Sequence, residues 1–60
     1  MKYTIGYYFV EKGVSSGFQL TSYTTKEEIK QENLANVERI LTEALKVDKV
    51  IILSYNKKGN

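Results

Sequence analysis

One segment of the chain has helical periodicity, and it lies between segments that favour β-strands. From residue 25 to about residue 46, apolar residues recur at spacings of three and four, which places them on one stripe of an amphipathic helix. The stripe consists of Ile29, Leu34, Val37, Ile40, Leu41, Ala44 and Leu45. A helix of about 20 residues is about 30 Å long, which exceeds any of the predicted strands. Residues 26–33 are the poorest in apolar side chains, so we expect this N-terminal part to extend beyond the sheet.

A capping pattern marks the start of this helix. Thr25 and Glu28 match a capping box, and Thr24 with Glu27 is the alternative register. Acidic residues in the first turn and Lys46 in the last turn suit the helix dipole. The sequence therefore predicts that the helix begins close to Thr25.

Three other segments are rich in aromatic and β-branched residues and predict strands. They are residues 3–10, 18–24 and 49–55. Residues 11–17 contain two glycines and two serines, and they predict a hairpin loop in which Gly13 or Gly17 takes a positive φ. Residues 47–49 form a short connection to the third strand, and residues 56–60 predict a polar, frayed tail.

The order of elements is strand, strand, helix, strand, which indicates an α+β fold in a single domain of residues 1–60. Crossover connections return a strand to the same sheet, and the simplest arrangement puts the third strand beside the first. We therefore predict a three-stranded antiparallel sheet of order 2-1-3, with one long helix packed on one face. The sheet residues expected under the helix are Ile5, Phe9, Phe18 and Leu20.

One helix leaves the second face of the sheet uncovered. In the first two strands this face is predicted to carry Thr4, Gly6, Tyr8, Val10, Gln19, Thr21 and Tyr23. The third strand adds either Val50 and Ile52 or Ile51, Leu53 and Tyr55, because the sequence does not fix its orientation. Exposed apolar surface of this kind marks interaction sites. The predicted dimer or partner interface consists of Tyr8, Val10, Tyr23, Ile51, Leu53 and Tyr55.

Gly6 lies inside the predicted central strand, where glycine weakens the strand and often marks a bulge or a close approach. One interpretation is a dent in the open face that receives a side chain of a partner. The other, which we favour, is a bulge or a space that a neighbouring aromatic residue of the same chain fills.

The chain has 60 residues and contains neither cysteine nor histidine. A domain of this size buries only about 60% of its unfolded surface and is often stabilised by disulfides, a metal or a partner subunit. Disulfides and cysteine or histidine metal sites are excluded, which favours a homodimer. The dimer is expected through the helix-free face. Pairing of strand edges is an alternative, because residues 18–24 contain no charged gatekeeper.

Candidate catalytic groups are few. Glu28 and Glu32 share one side of the predicted helix, but paired carboxylates at this spacing are typical of a solvated surface. Gly13 to Gly17 resembles a phosphate cradle only weakly, since it lacks the lysine of a P-loop and joins two strands. The sequence therefore predicts no enzymatic activity, no cofactor and no metal site.

Nucleic acid is the alternative partner, because Tyr7, Tyr8 and Phe9 resemble aromatic platforms on which bases stack. Tyr3, Tyr23 and Tyr55 would extend such a platform. The net charge of only +2 and the single arginine favour protein binding instead. The acidic side of the helix argues against a membrane surface, and no leader or long apolar run is evident, which predicts a cytoplasmic protein.

The sequence thus predicts a small protein-binding module, itself a homodimer, that occupies a surface on an unidentified larger protein. An accessory factor or inhibitor encoded by a virus or a mobile element would fit this size and composition. Binding of single-stranded nucleic acid by a tyrosine-rich sheet face is the alternative function.

Overall fold

The structure is a computed structural model that describes residues 1–59, which form an antiparallel sheet with one α-helix. The elements are β1 (Lys2–Glu11), β2 (Val14–Ser15), β3 (Gln19–Thr24), α1 (Leu34–Leu45) and β4 (Lys49–Lys57). Two residues of the predicted tail, Asn56 and Lys57, belong to β4, and the next residue donates its N–H to the carbonyl of Lys2 at 2.7 Å. Asn60, the end of the predicted tail, lies outside the described residues.

β1 is the central strand of the sheet. It pairs with β3 at residues 2–7 and with β4 at residues 3–10, so these two strands lie on opposite sides of it. β2 pairs with Val10 and Glu11 on the side of β3, because β4 already occupies the other side at Val10. The predicted α+β class and the central position of the first strand are confirmed, although the sheet has four strands rather than three.

The turn between β1 and β2 is tighter than the predicted loop. Lys12 and Gly13 have φ angles of 53° and 79°, and they connect Glu11 directly to its pairing partner Val14. Two successive positive φ angles define the type I′ turn, whose twist matches that of a hairpin. The carboxylate of Asp48 accepts a hydrogen bond from the Lys12 N–H at 2.8 Å, which ties this turn to the start of β4.

The edge formed by β2 and β3 changes its register along β1. In β2, Val10 lies opposite Ser15, whereas in β3 Gly6 lies opposite Leu20. If the register of β2 continued, Leu20 would lie opposite Ile5 instead. One additional residue is therefore accommodated between the two parts, and a shift of one residue moves every following side chain to the other face of the sheet.

Ser16 fixes the position of this extra residue. Its N–H donates to the carbonyl of Phe9 at 2.7 Å, and its hydroxyl accepts the Phe9 N–H at 2.9 Å. Gln19 lies opposite Tyr7, so both Gly17 and Phe18 lie opposite Tyr8. Because the ring of Phe18 is on the same face as Tyr8, Gly17 is the inserted residue. The prediction that Phe18 and Leu20 lie under the helix is consequently wrong. They are 60% and 64% exposed, because the shift turns them to the helix-free face.

Residues 25–30 are not helical, so the predicted helix start at Thr25 is wrong. The Thr25 hydroxyl accepts the N–H of Glu27 at 3.2 Å in a local turn, and a 3-10 turn over Gln31–Asn33 precedes α1. Four polar residues, 30–33, interrupt the apolar stripe, so a helix there would have no continuous side to bury. The α-helix therefore has 12 residues.

Instead of extending beyond the sheet, this segment folds back onto it. Ile29 is 5% exposed, and its N–H donates to the hydroxyl of Tyr3 at 3.0 Å. The side chain of Asn33 holds the segment at the helix start: its carbonyl accepts the Lys30 N–H at 2.7 Å, and its amide donates to the Glu28 carbonyl at 3.2 Å.

The core lies between α1 and the face of β1 that carries the odd-numbered residues. Its buried residues are Tyr3, Ile5, Tyr7, Ile29, Val37, Leu41 and Val50. Of the predicted helical stripe, Ile40, Ala44 and Leu45 are exposed, because α1 packs on the sheet through the side that contains Val37 and Leu41. The helix thus covers one face of the sheet and leaves the other uncovered.

The residue that follows α1 offers a test of the backbone at the helix end. Lys46 has a φ of 59°, a left-handed conformation that glycine adopts without steric cost. Lys46→Gly should therefore raise the free energy of unfolding by about 0.5–1 kcal/mol, measured by urea denaturation. Lys46→Ala is the control, since it keeps a Cβ. A glycine variant no more stable than the alanine variant would contradict the assigned conformation.

Candidate interaction surface

The helix-free face of the sheet is apolar at one end and polar at the other. At the polar end lie Lys2, Thr4, Ser22, Thr24, Ser54 and Asn56, as the register of the three long strands requires. At the other end lie five apolar side chains that we call the apolar patch. The apolar patch consists of Tyr8, Val10, Phe18, Leu20 and Ile51.

The ring of Phe18 lies across Gly6. A Cβ atom at Gly6 would lie 2.6 Å from Cζ of Phe18 and 2.6 Å from Oγ of Ser54, so no side chain fits there while the ring keeps this position. The space above the glycine is filled by an aromatic residue of the same chain, as the favoured interpretation expected. One side of the ring covers the backbone, and the side chain remains largely exposed.

Three of the residues predicted for the interface, Tyr8, Val10 and Ile51, lie on the helix-free face. Tyr23 and Tyr55 do not: Tyr23 lies opposite Tyr3 and Tyr55 opposite Ile5, so both point to the helix face and pack against the core. The register shift at Gly17 places Tyr23 there.

A bulge in β4 explains the position of Tyr55. Gly6 pairs with Ser54 and Tyr7 pairs with Ile52, so Leu53 is the extra residue between them and is 57% exposed. The orientation of the strand reverses at this point. Neither predicted alternative for the third strand therefore holds along its whole length, because Ile52 before the bulge and Tyr55 after it both face the helix.

The aromatic residues proposed as a base-stacking platform are divided between the two faces. Only Tyr8 among them lies on the helix-free face. On the helix face lie Tyr3, Tyr7, Phe9, Tyr23 and Tyr55. Sequence patterning missed Phe18 and Leu20, the most exposed members of the apolar patch. The Ser-Ser-Gly run before them, predicted as part of a loop, is the signal that could have indicated an irregular edge strand.

Side chains of α1 close the first half of the outer edge of β4, at Val50 and Ile52. The Val50 N–H donates to the hydroxyl of Thr42 at 3.1 Å, and the Ile52 N–H donates to the carboxylate of Glu38 at 2.8 Å. Glu38 and Thr42 are one helical turn apart, and Val50 and Ile52 are two residues apart along the strand. These two distances are similar, so each helix side chain reaches one N–H of the strand. Unpaired groups on a strand edge attract other strands, and here two of them are satisfied within the chain.

The outer edge of β3 is open by comparison. Met1 and Thr25 exchange both backbone hydrogen bonds, at 2.6 and 2.9 Å, and paired residues of an antiparallel ladder alternate from such a pair. Tyr23, Thr21 and Gln19 therefore direct their backbone groups to β1. The residues whose backbone groups point outward are Leu20, Ser22 and Thr24. No residue of β3 is charged.

Charge is distributed unequally over the two faces. Among the strand residues of the helix-free face, the charged side chains are Lys2 and Lys49, and none is acidic. Most carboxylates belong to α1 or to the segment before it. The ion pair between Arg39 and Glu43, at 3.6 Å, is largely exposed and contributes little to stability. A basic, partly apolar face thus opposes an acidic helix side.

A hollow in the surface lies away from this face, beside the 3-10 turn. It has a volume of about 380 Å³ and is lined by Glu27, Glu28, Lys30, Glu32 and Asn33. It is open to solvent, and it contains no residue of the apolar patch. Within residues 1–59, no three side chains of metal-binding type come together to hold an ion.

Comparisons with known proteins give no relative for this chain: no family model, no curated protein and no solved structure matches it. No helix in the described part of the chain has both the length and the apolar character that crossing a bilayer requires.

The closed edge of β4 yields a test. Thr42→Val should lower the free energy of unfolding by about 1–2 kcal/mol, because the N–H of the nearly fully buried Val50 loses its acceptor. Hydrogen exchange of the Val50 amide should become faster. Thr42→Ser keeps the hydroxyl and is the matched control. Equal exchange rates in the two variants would show that the hydroxyl is not the acceptor.

Proposed function

We propose that this chain is a non-enzymatic protein-binding module that works as a homodimer and binds a larger protein through its apolar patch. The observation that carries the proposal is the exposure of Phe18 and Leu20 beside Tyr8, Val10 and Ile51 on a face that no element within residues 1–59 covers. None of these five residues belongs to the buried core. These five side chains therefore contribute little to the folding of a single copy. Contiguous apolar surface in soluble proteins marks interaction sites.

The small core of the chain supports a binding partner. Within residues 1–59 it contains seven buried hydrophobic residues, which favours a subunit that gains stability by association. The chain has no cysteine, which fits a reducing compartment, and we place it in the cytoplasm.

The chemistry of the face indicates what kind of protein surface fits it. The apolar patch is flanked by Lys49, Lys2 lies at the polar end, and the strands contribute no carboxylate to this face. A complementary partner has an apolar centre with aspartate or glutamate at its margin, since complementary charges guide association and exclude other partners. Covering such a surface on a larger protein is the action of an accessory factor or an inhibitor.

Single-stranded nucleic acid is the second candidate. It is favoured by the exposed ring of Phe18 beside Tyr8 and by the acid-free character of the face, which are features of base-stacking surfaces. In the described part of the chain, two aromatic side chains lie on this face, and its lysines do not form a stripe. Protein binding is therefore the function that the arrangement supports best.

Two exposed apolar residues give a matched test. Phe18→Ser removes the aromatic ring of the apolar patch that is 60% exposed, whereas Val14→Ser removes a side chain outside the patch that is 69% exposed. The protein partner is first captured from the native host with the wild-type chain, and its dissociation constant is then measured by titration. Phe18→Ser should weaken binding at least tenfold, since buried aromatic anchors dominate interfaces, and Val14→Ser should leave it nearly unchanged.

The same variants separate the two candidate functions. Binding to a fluorescent single-stranded oligonucleotide is measured at about 50 and 200 mM salt. Tight binding that falls steeply with salt, together with unchanged protein binding in Phe18→Ser, would replace the protein partner by nucleic acid.

A further inference from the structure

We infer that the homodimer forms by antiparallel pairing of β3 with β3 of a second copy, and that Glu38 and Thr42 of α1 limit the assembly to two copies. The inference rests on the proposal that the chain is a homodimer. It specifies which surface joins the copies and leaves the apolar patch free for another protein.

The edge of β3 has the properties that natural proteins normally avoid. Its outward backbone groups belong to Leu20, Ser22 and Thr24, and no lysine, glutamate or proline interrupts residues 19–24. Such an edge is a template for another strand. On the helix face Gln19 is exposed and Thr21 half-exposed, so α1 does not overhang this edge.

Identical strands that pair in antiparallel fashion are related by a two-fold axis, so each copy contributes the same residues to the interface. Outward backbone groups lie on alternate residues, and the axis nearest the middle of β3 therefore passes beside Thr21 or Ser22. Either axis stands perpendicular to the sheet. The two helix-free faces consequently lie on the same side of one continuous sheet, and the Phe18 and Leu20 side chains of both copies lie near the axis.

The other edge determines the size of the assembly. If β3 of one copy paired with β4 of the next, each addition would leave a new free edge and a filament would grow. The N–H groups of Val50 and Ile52 are already bonded to Thr42 and Glu38 of the same chain. A strand that added to this half of β4 would have to displace both of these bonds, whereas pairing of two β3 edges displaces neither of them and uses both edges.

Single cysteines report the geometry without interference, because the chain contains none. Thr21→Cys and Thr4→Cys are matched substitutions on opposite faces: Thr21 lies on the helix side of β3, and Thr4 lies on the helix-free face of β1. In the β3-paired dimer the two Thr21 positions are within about 8 Å, whereas the two Thr4 positions are three strand spacings, about 14 Å, apart. A short bis-maleimide should therefore cross-link Thr21→Cys and not Thr4→Cys.

Light scattering of the unmodified chain at micromolar concentration accompanies the cross-linking. A two-chain mass with cross-linking of Thr21→Cys alone supports the inference. A two-chain mass with cross-linking of Thr4→Cys alone, or of neither variant, overturns β3 pairing but leaves the homodimer intact. A monomer of ordinary stability overturns both the inference and the proposed homodimer, while the partner-binding test of Phe18→Ser remains independent.

The limit of two copies has its own test. Glu38→Ala frees the Ile52 N–H and should produce species larger than two chains in size-exclusion chromatography with light scattering. Glu38→Gln retains an oxygen acceptor at the same position and should remain at two chains. If Glu38→Ala stays at two chains while it remains folded by circular dichroism, the limiting role of α1 is overturned.

Discussion

The inserted residue in the edge strand is the constraint on which the exposed surface depends. Until Ser16, the hairpin follows the register that its two-residue turn sets, and that register would place Phe18 and Leu20 under the helix. Gly17 shifts the register by one, and the same backbone then turns these two side chains outward and Tyr23 inward. The insertion of Gly17 therefore has a larger effect on which side chains lie on each face than the hydrophobic pattern of either strand has.

The helix has two roles that its sequence combines. Val37 and Leu41 fill the core, which is the expected use of an apolar stripe. Glu38 and Thr42 follow them directly, and instead of facing solvent they bond to backbone groups of β4. A carboxylate and a hydroxyl at the boundary of the stripe thus satisfy two N–H groups in the first half of β4, while the polar residues farther around the helix are exposed.

Much of the fold could be predicted from the sequence, and the failures have identifiable causes. Strand positions follow from aromatic and β-branched runs, and the central place of β1 follows from connection rules. The helix start could not be predicted, because the threonine and glutamate pattern near residue 25 outweighed the polar interruption before Leu34. In the candidate site, Tyr8, Val10 and Ile51 follow from alternation along unbroken strand segments. Tyr23 and Tyr55 were placed on the wrong face, because each follows an inserted residue that alternation does not reveal.

The contact between Phe18 and Gly6 has a consequence for how this sequence can diverge. An aromatic ring at position 18 tolerates only glycine beneath it, and Ser54 confines the same space from the neighbouring strand. Substitutions at these three positions are therefore coupled. A lineage that replaces both the aromatic residue and Ser54 by smaller ones becomes free to acquire a side chain at position 6, and we expect such exchanges to be inherited together.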